Sequence, residues 1–118
     1  MRRGEILRIL VLAVLAKGEA HGYEIRSRLS QMSQGYIKLS PGTLYPLLFI
    51  LCREGLIEVS KVREKGRKKK VYRLTPKGRE YLASRLNTII EVMKSATSFL
   101  EDVARLLEDM KKEDYKPT

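Results

Sequence analysis

The 118-residue chain has one cysteine, one histidine and no apolar run that would cross a bilayer. A single cysteine, Cys52, excludes an internal disulfide and fits a reducing compartment, the cytoplasm. A single histidine, His21, with no cysteine or carboxylate cluster beside it, makes no metal site, and capping or packing at a helix start is its simpler role. The apolar segment at residues 9–16 falls well short of the roughly 18 residues of a membrane span. Arg2 and Arg3 precede it, as in a secretory signal, but Lys17-Gly-Glu-Ala-His21 continues a globular pattern where a cleavage site would stand, so a signal peptide is rejected. No phosphate-binding glycine loop and no Ser/His/Asp or Cys/His constellation is present, which argues against an enzyme and leaves no cofactor to expect.

Acidic residues are scarce too, 14 against 24 lysines and arginines, for a net charge of +10. Residues 61–73 alone hold eight basic side chains and one acid, so seven of the ten net charges lie in one short stretch. A concentrated basic strip is the footprint expected for a polyanion; a solubilising surface run is the blander reading. Hydrophobic residues make up 43% of the chain, enough to pack the core of one domain with at most an appendage.

The chain is organised around Leu39–Glu58. Ser40 is a helix N-cap residue, Pro41 suits the first helical position, and Gly55 suits a left-handed stop. Leu44, Leu47, Leu48 and Leu51 form the core-facing stripe. The opposite face carries Gly42, Pro46, Phe49 and Arg53, so the first turn is low in bulk and suits close approach to a groove or a phosphate backbone. Pro46 removes a backbone donor and is expected to bend that turn. Thr43 and Tyr45 are the candidates to reach base edges, Pro41 and Gly42 shape the approach, and Lys38 is a candidate phosphate contact at the helix entry.

Ser40-Pro-Gly-Thr-Leu-Tyr-Pro46, with His21-Gly-Tyr-Glu-Ile25 before it and Glu54-Gly-Leu-Ile57 after it, resembles the PadR family of transcriptional regulators. Gly66-Arg67, Lys70-Val-Tyr-Arg-Leu-Thr75 and Lys77-Gly78 extend the resemblance over most of residues 4–82. It implies a winged helix-turn-helix, a C-terminal dimerisation helix and repression. It also implies a small hydrophobic or aromatic effector, which some relatives hold in an apolar space between subunits. This chain has no tryptophan, so a flat clamp built on that residue is excluded. It departs from the family after Tyr45-Pro46, where Phe49, Ile50 and Cys52 replace basic and polar residues. Mid-helix phosphate contacts then fall to Arg53, and the apolar residues are expected to pack on the C-terminal helix or a dimer mate.

The remaining segments fit this frame. Residues 4–16 read as a helix apolar nearly all round, which calls for cover from a partner subunit. Residues 21–31 read as a second helix with a stripe of Ile25, Leu29 and Met32, and with Tyr23 packing. Residues 56–63 and 69–74 read as a two-stranded wing turning at Gly66, with Lys65, Arg67, Lys68, Lys69 and Lys70 crowding its tip as phosphate or minor-groove contacts. From Thr75-Pro76 the apolar residues Leu82, Leu86, Ile89, Met93, Ala96, Leu100, Val103, Leu107 and Met110 alternate by four and three. That heptad period predicts a dimerisation seam, with Leu86, Ile89, Met93, Ala96, Leu100, Val103 and Leu107 at its centre.

The fold class expected is mainly α with a small β-hairpin (α+β), a winged helix-turn-helix with a long coiled-coil-like C-terminal helix. The expected division is residues 1–75 as a DNA-binding domain, 76–111 as the dimerisation helix and 112–118 as a frayed tail. The leading function is a homodimeric repressor binding double-stranded DNA, with no membrane association. The alternatives are an RNA-binding or chromatin-type winged helix without an operator, and a protein-interaction module using Phe49 and Ile50.

Overall fold

The computed structural model describes residues 3–63 and 69–114. The elements run α1 (Arg3–Lys17), β1 (Ala20–His21), α2 (Gly22–Met32), α3 (Pro41–Arg53), β2 (Ile57–Arg63), β3 (Lys69–Leu74) and α4 (Pro76–Asp114). The chain divides into two compact units, residues 1–85 and 86–118.

The core of the first unit comes from every one of its elements. Val11, Leu12, Val14 and Leu15 of α1 are buried with Ile25 and Leu29 of α2, Leu44, Leu48 and Leu51 of α3, Leu56 and Ile57, Val71, and Leu82 of α4. Helix α1 is therefore covered by its own unit on more than one side, while Ile6, Leu7, Leu10 and Ala13 stay half-buried. Met32, at the last turn of α2, lies 52% exposed and outside the stripe that Ile25 and Leu29 form.

The wing is wider than a hairpin. The sheet has three antiparallel strands in the order β1-β3-β2, with Ala20 opposite Tyr72 and His21 opposite Val71. Strand β1 is two residues long and carries no alternation, so only its partner strand makes it a strand. A register shift between Val59 and Lys61 inserts Ser60, whose hydroxyl donates to the Val71 carbonyl at 3.2 Å. Val59 consequently stands 41% exposed although Ile57 is buried.

The start of α4 is fastened to the end of α3 at three successive carbonyls. Lys77 Nζ donates to the Glu54 carbonyl (2.8 Å), Thr75 Oγ1 to that of Gly55 (2.6 Å) and the Thr75 N–H to that of Leu56 (3.1 Å). Thr75 also accepts the Gly78 N–H at 3.0 Å, as a helix cap does. A methyl group at Gly78 would stand 2.8 Å from Leu74 Cδ1, 2.9 Å from the Leu56 carbonyl carbon and nearer still to its oxygen, so glycine is required there.

In the second unit, α4 continues to Asp114, with Lys111 and Lys112 in its last turn. Its apolar side is uncovered among the described residues: Met93 is 49% exposed, Leu100 63% and Leu107 58%. Val92, Phe99 and Leu106, seven residues apart, add a second exposed apolar line beside the heptad positions. No helix among the described residues is long and apolar enough to cross a membrane.

Candidate nucleic-acid interface

Helix α3 has the start that its sequence prescribes. Ser40 is extended (φ −77°, ψ 157°) and its Oγ accepts the Thr43 N–H at 3.2 Å. The Ser40 hydroxyl also donates to Thr43 Oγ1 at 3.2 Å, so both side chains begin committed to the cap. The approach to α3 is held from α2, where Arg26 Nε donates to the Leu39 carbonyl at 2.6 Å. Gly55 ends the helix region at φ +75°, a left-handed conformation suited to glycine.

With Leu44, Leu48 and Leu51 buried, the outward face is fixed. Pro41, Gly42, Thr43, Tyr45, Pro46, Phe49, Ile50 and Arg53 are all exposed. Apart from the Ser40 hydroxyl at 3.9 Å, nothing lies within 4 Å of where a Cβ on Gly42 would be. No fold constraint therefore explains a residue that costs a helix roughly 0.5–1 kcal/mol relative to alanine. The helix runs on through Pro46, which leaves the Gly42 carbonyl without its usual helical donor.

Tyr45 plays a part that spacing did not reveal. Its ring lies across the start of α2, so that a Cβ at Gly22 would come 2.6 Å from the hydroxyl and 2.8 Å from Cζ. Gly22 and Tyr45 are thus two halves of one contact between the helices of the helix-turn-helix. Tyr45 remains 49% exposed and lines a recess of about 450 Å³ with His21, Gly22, Tyr23, Lys69, Lys70 and Tyr72. Tyr23, expected to pack, is 66% exposed because it stands on the solvent side of the first turn of α2. His21 is the α2 cap: its Nδ1 accepts the Glu24 N–H (3.3 Å), and Glu24 Oε1 accepts the His21 N–H (3.2 Å). That backbone hydrogen bond, above all, holds the Glu24 carboxyl below its ordinary value.

The basic strip sorts into paired and unpaired charges. Lys61 faces Glu19 at 3.3 Å and Arg73 faces Glu58 at 2.7 Å. Among the described residues no carboxylate pairs with Lys69, Lys70 or Lys38, and all three are exposed. Lys65, Arg67 and Lys68 lie outside the described residues. Arg8 binds Glu54 through both carboxylate oxygens, and this pairing chiefly lowers the Glu54 pKa. Cys52 is half-buried, and burial pushes its thiol up although Lys70 opposes the shift. Phe49 and Ile50, expected to pack on another helix, are 63% and 44% exposed. Among the described residues no group of three or more metal-ligating side chains forms.

Two helices, α2 and α3, joined by residues 33–40 and followed by a sheet-borne hairpin define a winged helix-turn-helix protein. The chain belongs to the PadR family: the transcriptional regulator PadR-like family matches residues 11–84. It is 36% identical over 76 residues to the transcriptional regulator YqjI of Escherichia coli, a match covering 64% of this chain and 35% of that protein. The chain thus spans about a third of the length of that relative. It is also 36% identical over 88 residues to the transcriptional regulator Rv3488 of Mycobacterium tuberculosis, covering 75% of this chain and 79% of that one. Among solved structures, a PadR-like transcriptional regulator of Bacillus cereus superposes with a TM-score of 0.68 at 30% identity, over 81% of this chain and 92% of that one. PadR of Bacillus subtilis, solved in complex with operator DNA, gives 0.62 at 31% identity, over 69% and 47%. The family so matched is one of transcriptional regulators.

Proposed function

We propose that this chain is a homodimeric, cytoplasmic repressor that binds a specific site on double-stranded DNA. The observation that carries this reading is Gly42, a glycine on the exposed first turn of α3 that nothing inside the protein requires. A low-bulk, capped helix start is what a major groove admits. In this reading Ser40, Pro41 and Gly42 set the approach, and Thr43 and Tyr45 reach base edges or the neighbouring phosphates. Lys38 contacts phosphate beside them. Lys65, Arg67, Lys68, Lys69 and Lys70 of the wing bind phosphate or the minor groove without reading much sequence. The recess between Tyr45 and Lys69/Lys70 seats one backbone phosphate. Its charge comes from the lysines and its hydroxyl donors from the tyrosines, because His21 and Glu24 already cap the start of α2. The operator complex of the Bacillus subtilis relative supports the same use of this domain.

Dimerisation runs along α4 through Leu86, Ile89, Met93, Ala96, Leu100, Val103 and Leu107; the exposure of Met93, Ala96, Leu100 and Leu107 in a single chain calls for a second copy. Release by a small hydrophobic or aromatic effector completes the reading and rests on the family resemblance.

The test is selection of bound duplexes from fragmented genomic DNA. The expected product is an inverted repeat with half-sites about one helical turn, roughly 34–36 Å, apart. Thr43→Ala and Tyr45→Ala should weaken binding to that duplex more than to random DNA. Binding without sequence preference would favour the RNA or chromatin alternative, and no binding at low salt would favour a protein-interaction module.

A further inference from the structure

Phe49 is the largest exposed apolar side chain on α3, and neither the fold nor the contacts proposed above use it. At 100° per residue, Gly42, Pro46, Phe49 and Arg53 fall within about 60° of one another, centred opposite the buried leucines. Phe49 therefore lies on the line along which Gly42 lets the helix approach DNA. Its ring has one charged neighbour, the Arg53 guanidinium, whose carbon lies 5.9 Å from the ring centroid. An apolar surface flanked by a cation suits a groove edge, where an apolar group lies beside phosphate.

A base edge in the major groove offers few apolar partners. Every base shows hydrogen-bond donors or acceptors there, and thymine alone of the four adds a methyl group, at C5. Resting on the reading above, we propose that Phe49 reads the C5-methyl group of a pyrimidine, with Arg53 holding the flanking phosphate. The chemistry fits thymine and 5-methylcytosine equally and rejects unmethylated cytosine and uracil. Seven residues separate Gly42 from Phe49, about 10.5 Å along the helix, or about three base-pair steps of 3.4 Å. The methyl group read by Phe49 should therefore lie about three steps from the base pair that faces Gly42.

The experiment uses the full chain and the duplex recovered by selection. Each thymine is replaced singly by deoxyuridine, which removes only the methyl group. One position per half-site should weaken wild-type binding about fourfold, the value for losing one buried methyl, and both together about fifteenfold. Phe49→Ala should bind the thymine and deoxyuridine duplexes alike, whereas Phe49→Leu keeps part of the difference. 5-Methylcytosine placed at that position should bind wild type more tightly than cytosine, and the Phe49→Ala variant no more tightly. Because Phe49 is exposed, its variants should melt like wild type, so a loss of discrimination is not a loss of fold. If no thymine shows the effect, or if Phe49→Ala retains it, the proposal is wrong while the operator stands. A Phe49→Ala protein that loses its dimer by light scattering would also overturn it, placing the ring in a protein contact. Failure to recover any specific duplex refutes the broader reading instead.

Discussion

Glycine-to-alanine changes at positions 78 and 42 should move stability in opposite directions. At Gly78 the added methyl group meets Leu74 Cδ1 at 2.8 Å and the backbone of Leu56 inside 3.0 Å, and a backbone carbonyl cannot rotate away. The first turn of α4 must lift, which strains or breaks the hydrogen bonds from Thr75 to Leu56 and Gly55. Each is worth about 1 kcal/mol, and the displaced packing about 1–2 more. Alanine returns about 1 kcal/mol of helix propensity. The net loss is roughly 2–3 kcal/mol, a fall in Tm of about 10–20 °C for a unit of this size. At Gly42 the methyl group meets open space, so Gly42→Ala should hold Tm or raise it, by up to about 1 kcal/mol. Its cost should appear only in DNA binding, as a loss of at least about tenfold, or ~1.4 kcal/mol, on the selected duplex. Differential scanning calorimetry and a binding titration on the same two proteins read both effects. A Gly78→Ala protein that melts like wild type would refute the close packing of α4 on Leu56. A Gly42→Ala protein with full affinity would refute close approach through the first turn.

Replacing Leu100 and Leu107 together by aspartate should give monomers or unfolded protein, since an unpaired charge in a seam is costly; a folded dimer unchanged by light scattering would dismiss the seam. A Lys65/Lys68/Lys70 triple-alanine variant should show a shallower dependence of affinity on salt, by about 0.9 in log–log slope for each phosphate it no longer neutralises, and an unchanged slope would move the footprint elsewhere. Acid should destabilise the fold through Glu54 and Glu24, whose carboxyl pKa values are depressed below 4.5 by Arg8 and by the His21 backbone respectively. A depressed carboxyl contributes fully above its unfolded value and loses that contribution as pH falls through the folded one. Melting temperature should therefore drop as pH falls below the ordinary carboxyl range, and Glu54→Gln should flatten the drop by less than about 1 kcal/mol, the scale of an exposed pair. An equally steep decline in that variant would show that the Arg8 pairing adds nothing.

Helix α3 was legible because each of its signals is local: a cap at Ser40, Pro41 after it, leucines at helical spacing and a glycine stop. Helix α4 was legible because its period holds from Leu82 to Met110. Strand β1 was not, since two residues carry no pattern and are ordered only by pairing with Val71 and Tyr72. The contact of Tyr45 with Gly22 joins segments more than twenty residues apart, which no periodicity encodes. The basic strip was visible as a total, but Glu19 and Glu58, which pair with Lys61 and Arg73, are placed by the sheet. The second apolar line, Val92, Phe99 and Leu106, is present as a seven-residue spacing but is overshadowed by the stronger heptad beside it.

The three carbonyls of Glu54, Gly55 and Leu56, each accepting from Thr75 or Lys77, tie the end of α3 to the root of α4. Those two elements behave as a welded joint. Any change of angle at the root of α4 would have to break these hydrogen bonds or carry the end of α3 with it.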